Sequence, residues 1–531
     1  MMASALSAAA ALTASCSDDD YVFKPDYEVT VKADTTVNVT INGAVTHQTI
    51  DGFASADAWN MDYVGKYWSE NAKEGIARLL FSKDIKNNQP DGIGLSMWRM
   101  NLGGGTAEQG DDSGINDKPE RRAECFLSKD GTYNWSKAAG QMYFMEKAKE
   151  YGVNDFVLFS NTPPVYYTKN GKGYSNSGAL SNLKTEHYDD FADFLATCAS
   201  HFKEQGYNIS YISPVNEPQF DWNGGQEGSG WANYQVADLI KRLDAKMTEK
   251  NLDDTKILVG EAAAWNYLYE VASDVSLPRS NVIDNFFNSS SSNYIGSLTH
   301  VPPVVCAHSY WLDTSFNQLQ ETRRKAAEAA KAQGLSLWQT EWSMMSETYE
   351  GISSYSGASY MDLALAMAGV MHFDLTEADV TSWSYWTTCE RERWDQKSRF
   401  YLIRLIPSGG DYGDLDKGGT YEASKNLWVL GNYSLFVRPG YKRVDIDVPV
   451  TGDRLLASAY VSENEDKLVV VYTNLMKKSV KLETTINING RTAKNPKEYV
   501  TSATRNLKGV GSEETNILEA RSVATVVYDL E

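Results

Sequence analysis

Short apolar runs recur through the middle of the chain, each bounded by turn residues or by an amphipathic stretch. They are 48–53, 93–99, 155–160, 209–215, 256–260, 304–308, 335–340 and 381–386. Runs this short and this uniformly apolar read as buried strands. Between them, 186–202 and 321–332 carry apolar residues at helical spacing, and 360–372 reads as a largely apolar helix. Eight such units, with long loops after several strands and a polar residue at many strand ends, predict an α/β fold. They favour a closed (β/α)8 TIM barrel over 46–436 rather than an open doubly wound sheet.

The flanks alternate apolar and polar residues at period two, in 27–32, 36–41, 443–448, 467–473, 479–483 and 523–528. Half-buried antiparallel strands have this pattern. It predicts a β-sandwich over 437–531, joined by N-terminal strands over 27–45, so that both chain ends build one side domain. There is no internal repeat, and Ser289–Ser292 reads as a surface loop.

Composition narrows the function. The 531 residues are 42% hydrophobic, enough for a sizeable core. A net charge of −20 with no basic run argues against nucleic acid or another polyphosphate as partner. Neutral, water-soluble substrates fit better, since 31 Tyr and 14 Trp offer flat faces for stacking. Neither a CxxC nor an HExxH motif is present, so no metal and no cofactor is expected. Cys198, in a helical apolar pattern, and Cys306, in an apolar strand, read as buried free thiols.

Residues 1–16 read as a leader. Ala3–Ser15 is uncharged, Ala-rich and too short to span a bilayer. Thr13-Ala-Ser-Cys16 resembles a bacterial lipoprotein cleavage box, although Thr13 stands where Leu is usual and no Lys or Arg precedes the apolar run. The acidic run Ser17–Asp20 resembles the tag that follows the lipidated Cys in some Gram-negative surface lipoproteins, and 17–26 reads as a linker. The resemblance implies lipidation of Cys16 and attachment to the outer-membrane surface, the lipid being the only membrane contact. The alternative is an ordinary cleaved secretory peptide. Both place the protein outside the cytoplasm.

Two tetrapeptides carry the chemistry: Val215-Asn216-Glu217-Pro218 and Gln339-Thr340-Glu341-Trp342. Each sets a Glu at the C-terminal end of a predicted strand, the fourth and the seventh, where barrel enzymes keep their reactive groups. A single Glu there is as readily a helix cap or a surface charge. Two together supply the proton donor and the nucleophile, or stabilising anion, that glycoside cleavage requires.

These pieces resemble the retaining (β/α)8 glycoside hydrolases, and within them glycoside hydrolase family 30, whose members include glucosylceramidases, β-1,6-glucanases, β-1,6-galactanases and xylanases. The matching segments are Ile50-Asp-Gly-Phe-Ala, Trp98-Arg-Met-Asn-Leu-Gly-Gly-Gly, Ser213-Pro-Val-Asn-Glu-Pro, His308-Ser-Tyr, Trp338-Gln-Thr-Glu-Trp-Ser and Gly431-Asn-Tyr-Ser-Leu-Phe-Val-Arg-Pro-Gly-Tyr. Their order is right from about residue 45 to the end. The resemblance implies that Glu217 is the general acid/base, Glu341 the nucleophile and Asn216 the amide that binds the sugar 2-hydroxyl. It implies that Arg99 and Tyr310 hold the Glu341 carboxylate and that Trp386 is the floor beneath the cleaved sugar. His308 shares a strand face with Tyr310 and is equally open to a structural role.

Softer candidates remain. Gly103-Gly-Gly-Thr106 suggests close backbone packing more than a phosphate cradle, since no Lys follows. In Asn161-Thr-Pro-Pro-Val-Tyr-Tyr the family usually has Ser-Pro-Pro-Trp, and Tyr166 and Tyr167 could supply the sugar platform in place of that Trp. The loops bearing Glu261 and Trp265, and Glu390–Trp394, are expected to face the cleft or to be solvated charge. Likeness of 94–126 to the galactanase branch favours an endo-enzyme acting on β-1,6-galactan side chains, with β-1,6-glucan and xylan as alternatives. A glycan-binding protein without catalysis is the reading from another class.

Overall fold

The computed structural model describes residues 31–175, 180–275, 278–449 and 454–531. The leader, Cys16, the linker and 27–30 lie outside the described residues. Eight parallel strands form the barrel: Gly52–Ser55, Met97–Asn101, Asp155–Phe159, Ile209–Ser213, the interrupted fifth strand Lys256–Ile257 and Val259–Ala262, Val304–His308, Ser336–Glu341 and Ser382–Tyr385. Parallel pairing runs from the second to the fifth and from the fifth through the eighth to the first. A bridge between Ala56 and Arg99 closes the ring between the first and second.

Each apolar run overlaps one barrel strand, with instructive offsets. Gln48 and Thr49 belong to the preceding strand, Thr35–Thr49. Ile93 and Leu95 precede strand two, where their N–H groups bond Leu79 and Leu80 at the end of helix Glu70–Phe81. Their burial serves that helix. Helix Phe316–Ala332 starts ahead of its apolar periodicity because Ser315 caps it, accepting from the Gln318 N–H. Helix Tyr360–Thr376 is apolar on nearly every side because it packs between the barrel and the side domain.

The side domain is one nine-stranded mixed sheet, curled around its own core. Strand Thr35–Thr49 is antiparallel to Lys442–Asp447 and parallel to Val480–Asn487, and it runs to Thr49 rather than stopping near 45. Val39, Ile41, Val470, Val480, Val500 and Val526 meet in that core. On the opposite face Leu456, Tyr460, Val469, Val471 and Val523 join the main barrel core. Cys125, Cys198, Cys306 and Cys389 are all buried and free.

Inside the barrel, Ala54, Met97, Val157, Leu258, Cys306 and Trp338 pack an apolar layer. The alternation of the strands makes the next layer toward their C-terminal ends polar, and the candidate site stands on it.

Candidate active site

Two residues beyond Met97 on strand two, Arg99 points into the barrel with 2% exposure. Its guanidinium lies 3.7 Å above the Phe159 ring. Nη1 donates to Glu341 Oε2 at 2.9 Å and Nη2 to Asn216 Oδ1 at 3.4 Å. Glu341 is the last residue of strand seven, and its Oε1 accepts from the Tyr310 hydroxyl at 3.0 Å. Tyr310 lies two residues past the end of strand six, and Trp386 one residue past strand eight.

Glu217 lies beyond strand four with φ +42°, a left-handed conformation uncommon outside glycine, and its N–H bonds the Glu261 carbonyl. The turn aims its carboxyl at Glu341. Glu217 Oε1 is 2.7 Å from His308 Nδ1, and one oxygen of each Glu lies within 4.8 Å of the other. That separation suits direct attack and leaves little room for an intervening water.

The two carboxyls have different surroundings. Two cation- or hydroxyl-borne donors hold Glu341, whereas Glu217 is pushed up to about 7, first by burial. The His308 contact opposes that rise, and the Glu341 and Glu261 charges add to it. Repulsion from Glu341 is therefore a secondary cause, with desolvation first.

The cleft above this pair has a volume of about 770 Å³ and is lined by Asn216, Glu217, Tyr310, Glu341 and Trp386. Trp386 stands edge-on to Trp59 at 5.1 Å. In the same cleft Phe220, Trp222 and Trp311 form an aromatic wall, with Phe220–Trp311 at 5.2 Å and Phe220–Trp222 at 5.6 Å, and the Trp222 indole N–H donates to the Glu217 carbonyl.

Several expectations are corrected. Glu261 does not sit on a solvated loop: it lies within strand five, 1% exposed beneath the cleft, and accepts from Ser213, Thr340 and His308. Trp265 is core, its indole N–H bonded to Ser309. Tyr166 and Tyr167 do not line the cleft. They sit on the short turn Val165–Tyr167, where Tyr167 stacks on His187 at 4.7 Å. Glu390 and Arg391 lie in a short strand, Cys389–Arg391, rather than a loop, and Arg391 and Arg393 donate to the buried Glu120.

The glycine-rich stretch after strand two packs closely, as a Cβ on Gly103 would meet Glu124 O at 2.4 Å. It also makes an anion nest, filled by the chain's own Glu227, which accepts from the N–H groups of Gly104 and Thr106 and from the Thr106 hydroxyl. Glu227 and the wall of Phe220 and Trp222 escaped the sequence reading. Trp311 was within its reach, since it follows Tyr310 directly.

Glu217, His308 and Glu341 could each offer one ligand atom to a metal. Arg99 and a protonated His308 already balance the negative charge there, which makes the set a poor cation site.

The family model for O-Glycosyl hydrolase family 30 matches residues 36–397. The chain is 26% identical to an endo-β-1,6-galactanase of Hypocrea rufa, covering 83% of this chain and 82% of that protein. It is 23% identical to glucuronoxylanase XynC of Bacillus subtilis (strain 168), over 75% of this chain and 78% of that one. Among solved structures, a conserved exported protein from Bacteroides fragilis superposes with a TM-score of 0.84 and 32% identity, covering 92% of this chain and 99% of that one.

Proposed function

This chain belongs to glycoside hydrolase family 30, and from that premise we propose that it is a retaining endo-glycosidase cleaving β-1,6-galactan side chains, as in arabinogalactan. The observation that carries the mechanism is the Glu217–Glu341 pair, with oxygens within 4.8 Å and unlike partners. Glu341, held by Arg99 and Tyr310, attacks the anomeric carbon. Glu217, neutral at the start, gives its proton to the departing glycosidic oxygen as that bond breaks. The product is a glycosyl ester on Glu341. Esterification removes the Glu341 charge, so Glu217 becomes the base that takes a proton from water as the water attacks the same carbon. The ester then releases a sugar of unchanged anomeric configuration and restores both groups. Because a guanidinium only donates, Arg99 fixes the Asn216 amide with Oδ1 inward, leaving Nδ2 to donate to the sugar 2-hydroxyl.

Endo action is supported by the aromatic wall of Phe220, Trp222 and Trp311 lining the same cleft as the carboxyl pair. The leaving group departs on the side of the proton donor, so Trp222, bonded to the Glu217 carbonyl, and Phe220 and Trp311 packed beside it border the leaving chain, while Trp386 floors the cleaved sugar. The galactanase relative supports the sugar. Incubation with β-1,6-galactan, β-1,6-glucan and glucuronoxylan, with product lengths read by chromatography, tests it. Internal fragments from galactan are expected; release from xylan alone would refute the substrate and leave the mechanism standing. Export with a lipid on Cys16 is part of the proposal, supported by the leader sequence and by likeness to a protein described as exported. Cys16→Ala should release the protein from the membrane fraction.

A further inference from the structure

We propose that Glu261 is a positioning residue: by holding His308 as a donor from both ring nitrogens, it fixes the transferable proton of Glu217 on Oε2, the oxygen His308 does not touch. This rests on the acid role proposed above for Glu217.

The backbone is shaped to bring Glu261 there. Between strands five and six, Val259 pairs with Val305 but Ala262 with Ala307, so three steps on one strand oppose two on the other. The extra residue is a bulge at Gly260 and Glu261, with φ +112° and +41°. Only glycine fits at 260, where a Cβ would lie 2.5 Å from the Cys306 carbonyl oxygen. The bulge turns Glu261 into the barrel, among donors only. Oε1 accepts from the Ser213 hydroxyl at 2.7 Å and lies 3.6 Å from Arg99 Nη2. Oε2 accepts from the Thr340 hydroxyl and faces His308 Nε2 at 2.9 Å. A carboxylate so placed stays ionised, and His308 Nε2 must donate to it.

The other face of the imidazole decides where the proton of Glu217 sits. His308 Nδ1 is 2.7 Å from Glu217 Oε1 and 3.8 Å from Glu341 Oε1. Were His308 neutral with its proton on Nε2, the Nδ1 lone pair would face Glu217 Oε1, and only a proton on Oε1 would complete the contact. That proton would be locked inward, away from the departing oxygen. A protonated His308 donates to Oε1 instead, and the acid proton of Glu217 is left on Oε2. The groups facing His308 are the carboxyls of Glu217, Glu261 and Glu341, the Tyr310 ring, edge-on at 5.8 Å, and, across Glu261, the Arg99 guanidinium. With Glu217 protonated, the ionised Glu261 and Glu341 still outnumber the one other cation, Arg99, and favour the charged imidazole. Its pKa is accordingly raised to about 10, burial being outweighed by Glu341, Glu217 and Glu261. Glu261 is held near 2, burial again being outweighed, here by Arg99, His308 and Thr340.

The test is Glu261→Gln, which keeps the shape and an acceptor for Nε2 but removes the charge. Two β-glycosides of the sugar that the wild type cleaves are compared: a dinitrophenyl glycoside, whose departure needs no proton, and an unactivated oligosaccharide. General acid help is worth roughly 100-fold or more. The variant should lose about that factor in kcat/KM on the oligosaccharide and less than about fivefold on the dinitrophenyl glycoside. Glu261→Asp, which keeps the charge, should recover part of the oligosaccharide activity. Equal losses on both substrates, or an Asp variant no better than Gln, would overturn the proposal. If Glu261→Gln does not fold, nitrogen NMR of the wild type decides: both His308 ring nitrogens should stay protonated from about pH 5 to about pH 8, and a neutral tautomer there refutes it. Glu217→Ala run in parallel separates the two claims. If that variant shows the split and Glu261→Gln does not, the role of Glu217 stands and that of Glu261 falls.

Discussion

Removing a single oxygen from Tyr310 separates the two halves of the proposed reaction. In Tyr310→Phe the buried ring stays in place, and only the 3.0 Å hydrogen bond to Glu341 Oε1 is lost, while Arg99 keeps its bond to Oε2 at 2.9 Å. In the first half-reaction Glu341 gives up negative charge, so losing a donor hinders the resting carboxylate at least as much as the transition state. In the second half Glu341 regains that charge as a leaving group, and the missing donor is felt in full. A hydrogen bond to a charged group contributes about 1.5–3 kcal/mol. With the charge about half developed at the transition state, about 0.8–1.5 kcal/mol is lost, slowing breakdown of the glycosyl ester by about 4- to 13-fold. On a dinitrophenyl glycoside, whose first step is fast, kcat and KM should therefore fall together, with kcat/KM changing by less than about threefold. Stopped-flow release of dinitrophenol should show a burst equal to the enzyme concentration. A fall in kcat/KM as large as that in kcat, with KM unchanged and no burst, would refute the assignment of Tyr310 to the nucleophile.

The remaining expectations concern the pair, the cleft and the scaffold. With Glu217→Ala, azide should rescue turnover of an activated aryl glycoside as the β-azide; with Glu341→Gly it should give the α-azide, and the opposite pairing would reverse the two roles. Because Glu217 must carry a proton and is raised to about 7, kcat/KM should decline as pH rises through about 7; a profile flat well into the alkaline range would contradict this. Trp311→Ala should lower kcat/KM on the polymer by about tenfold, for a stacking contact of about 1.4 kcal/mol, with a much smaller effect on an aryl glycoside too short to reach it. Glu227→Ala would strip the acceptor from the N–H groups of Gly104 and Thr106 and should cost about 3 kcal/mol of stability, read from urea denaturation; a loss below about 1 kcal/mol would mean the nest is filled some other way.

The barrel was legible because parallel strands buried on both faces leave uninterrupted apolar runs, and because reactive groups of this fold cluster at strand ends. Glu217 and Glu341 were legible from their position at predicted strand ends, Asn216, Arg99, Tyr310 and Trp386 only through the family resemblance, and the structure brings all six together. Glu261 was misread because a bulge reverses which way a strand residue points, and period-two counting carries no trace of an inserted residue. Tyr166 and Tyr167 were misread because the turn at 165–167 sends Tyr167 toward His187. Glu227 was invisible for another reason: its partners lie more than a hundred positions away, and a Glu in a polar loop looks the same whether it is solvated or clasped by backbone.

The strand Thr35–Thr49 sits between two strands from the other end of the chain, and this sets an order of assembly. It is made before any part of the barrel, with both edges unpaired, and its neighbours are made only after the last barrel strand. The sheet therefore closes only after the whole barrel has been made, a long-range pairing of the kind that slows folding. For protein engineering, the barrel is not a detachable cassette. Cutting after helix Lys425–Ser434, which follows the eighth strand, would orphan the first strand and uncover the apolar helix Tyr360–Thr376 beneath the sheet. A graft that is to stay soluble must carry both chain termini with it.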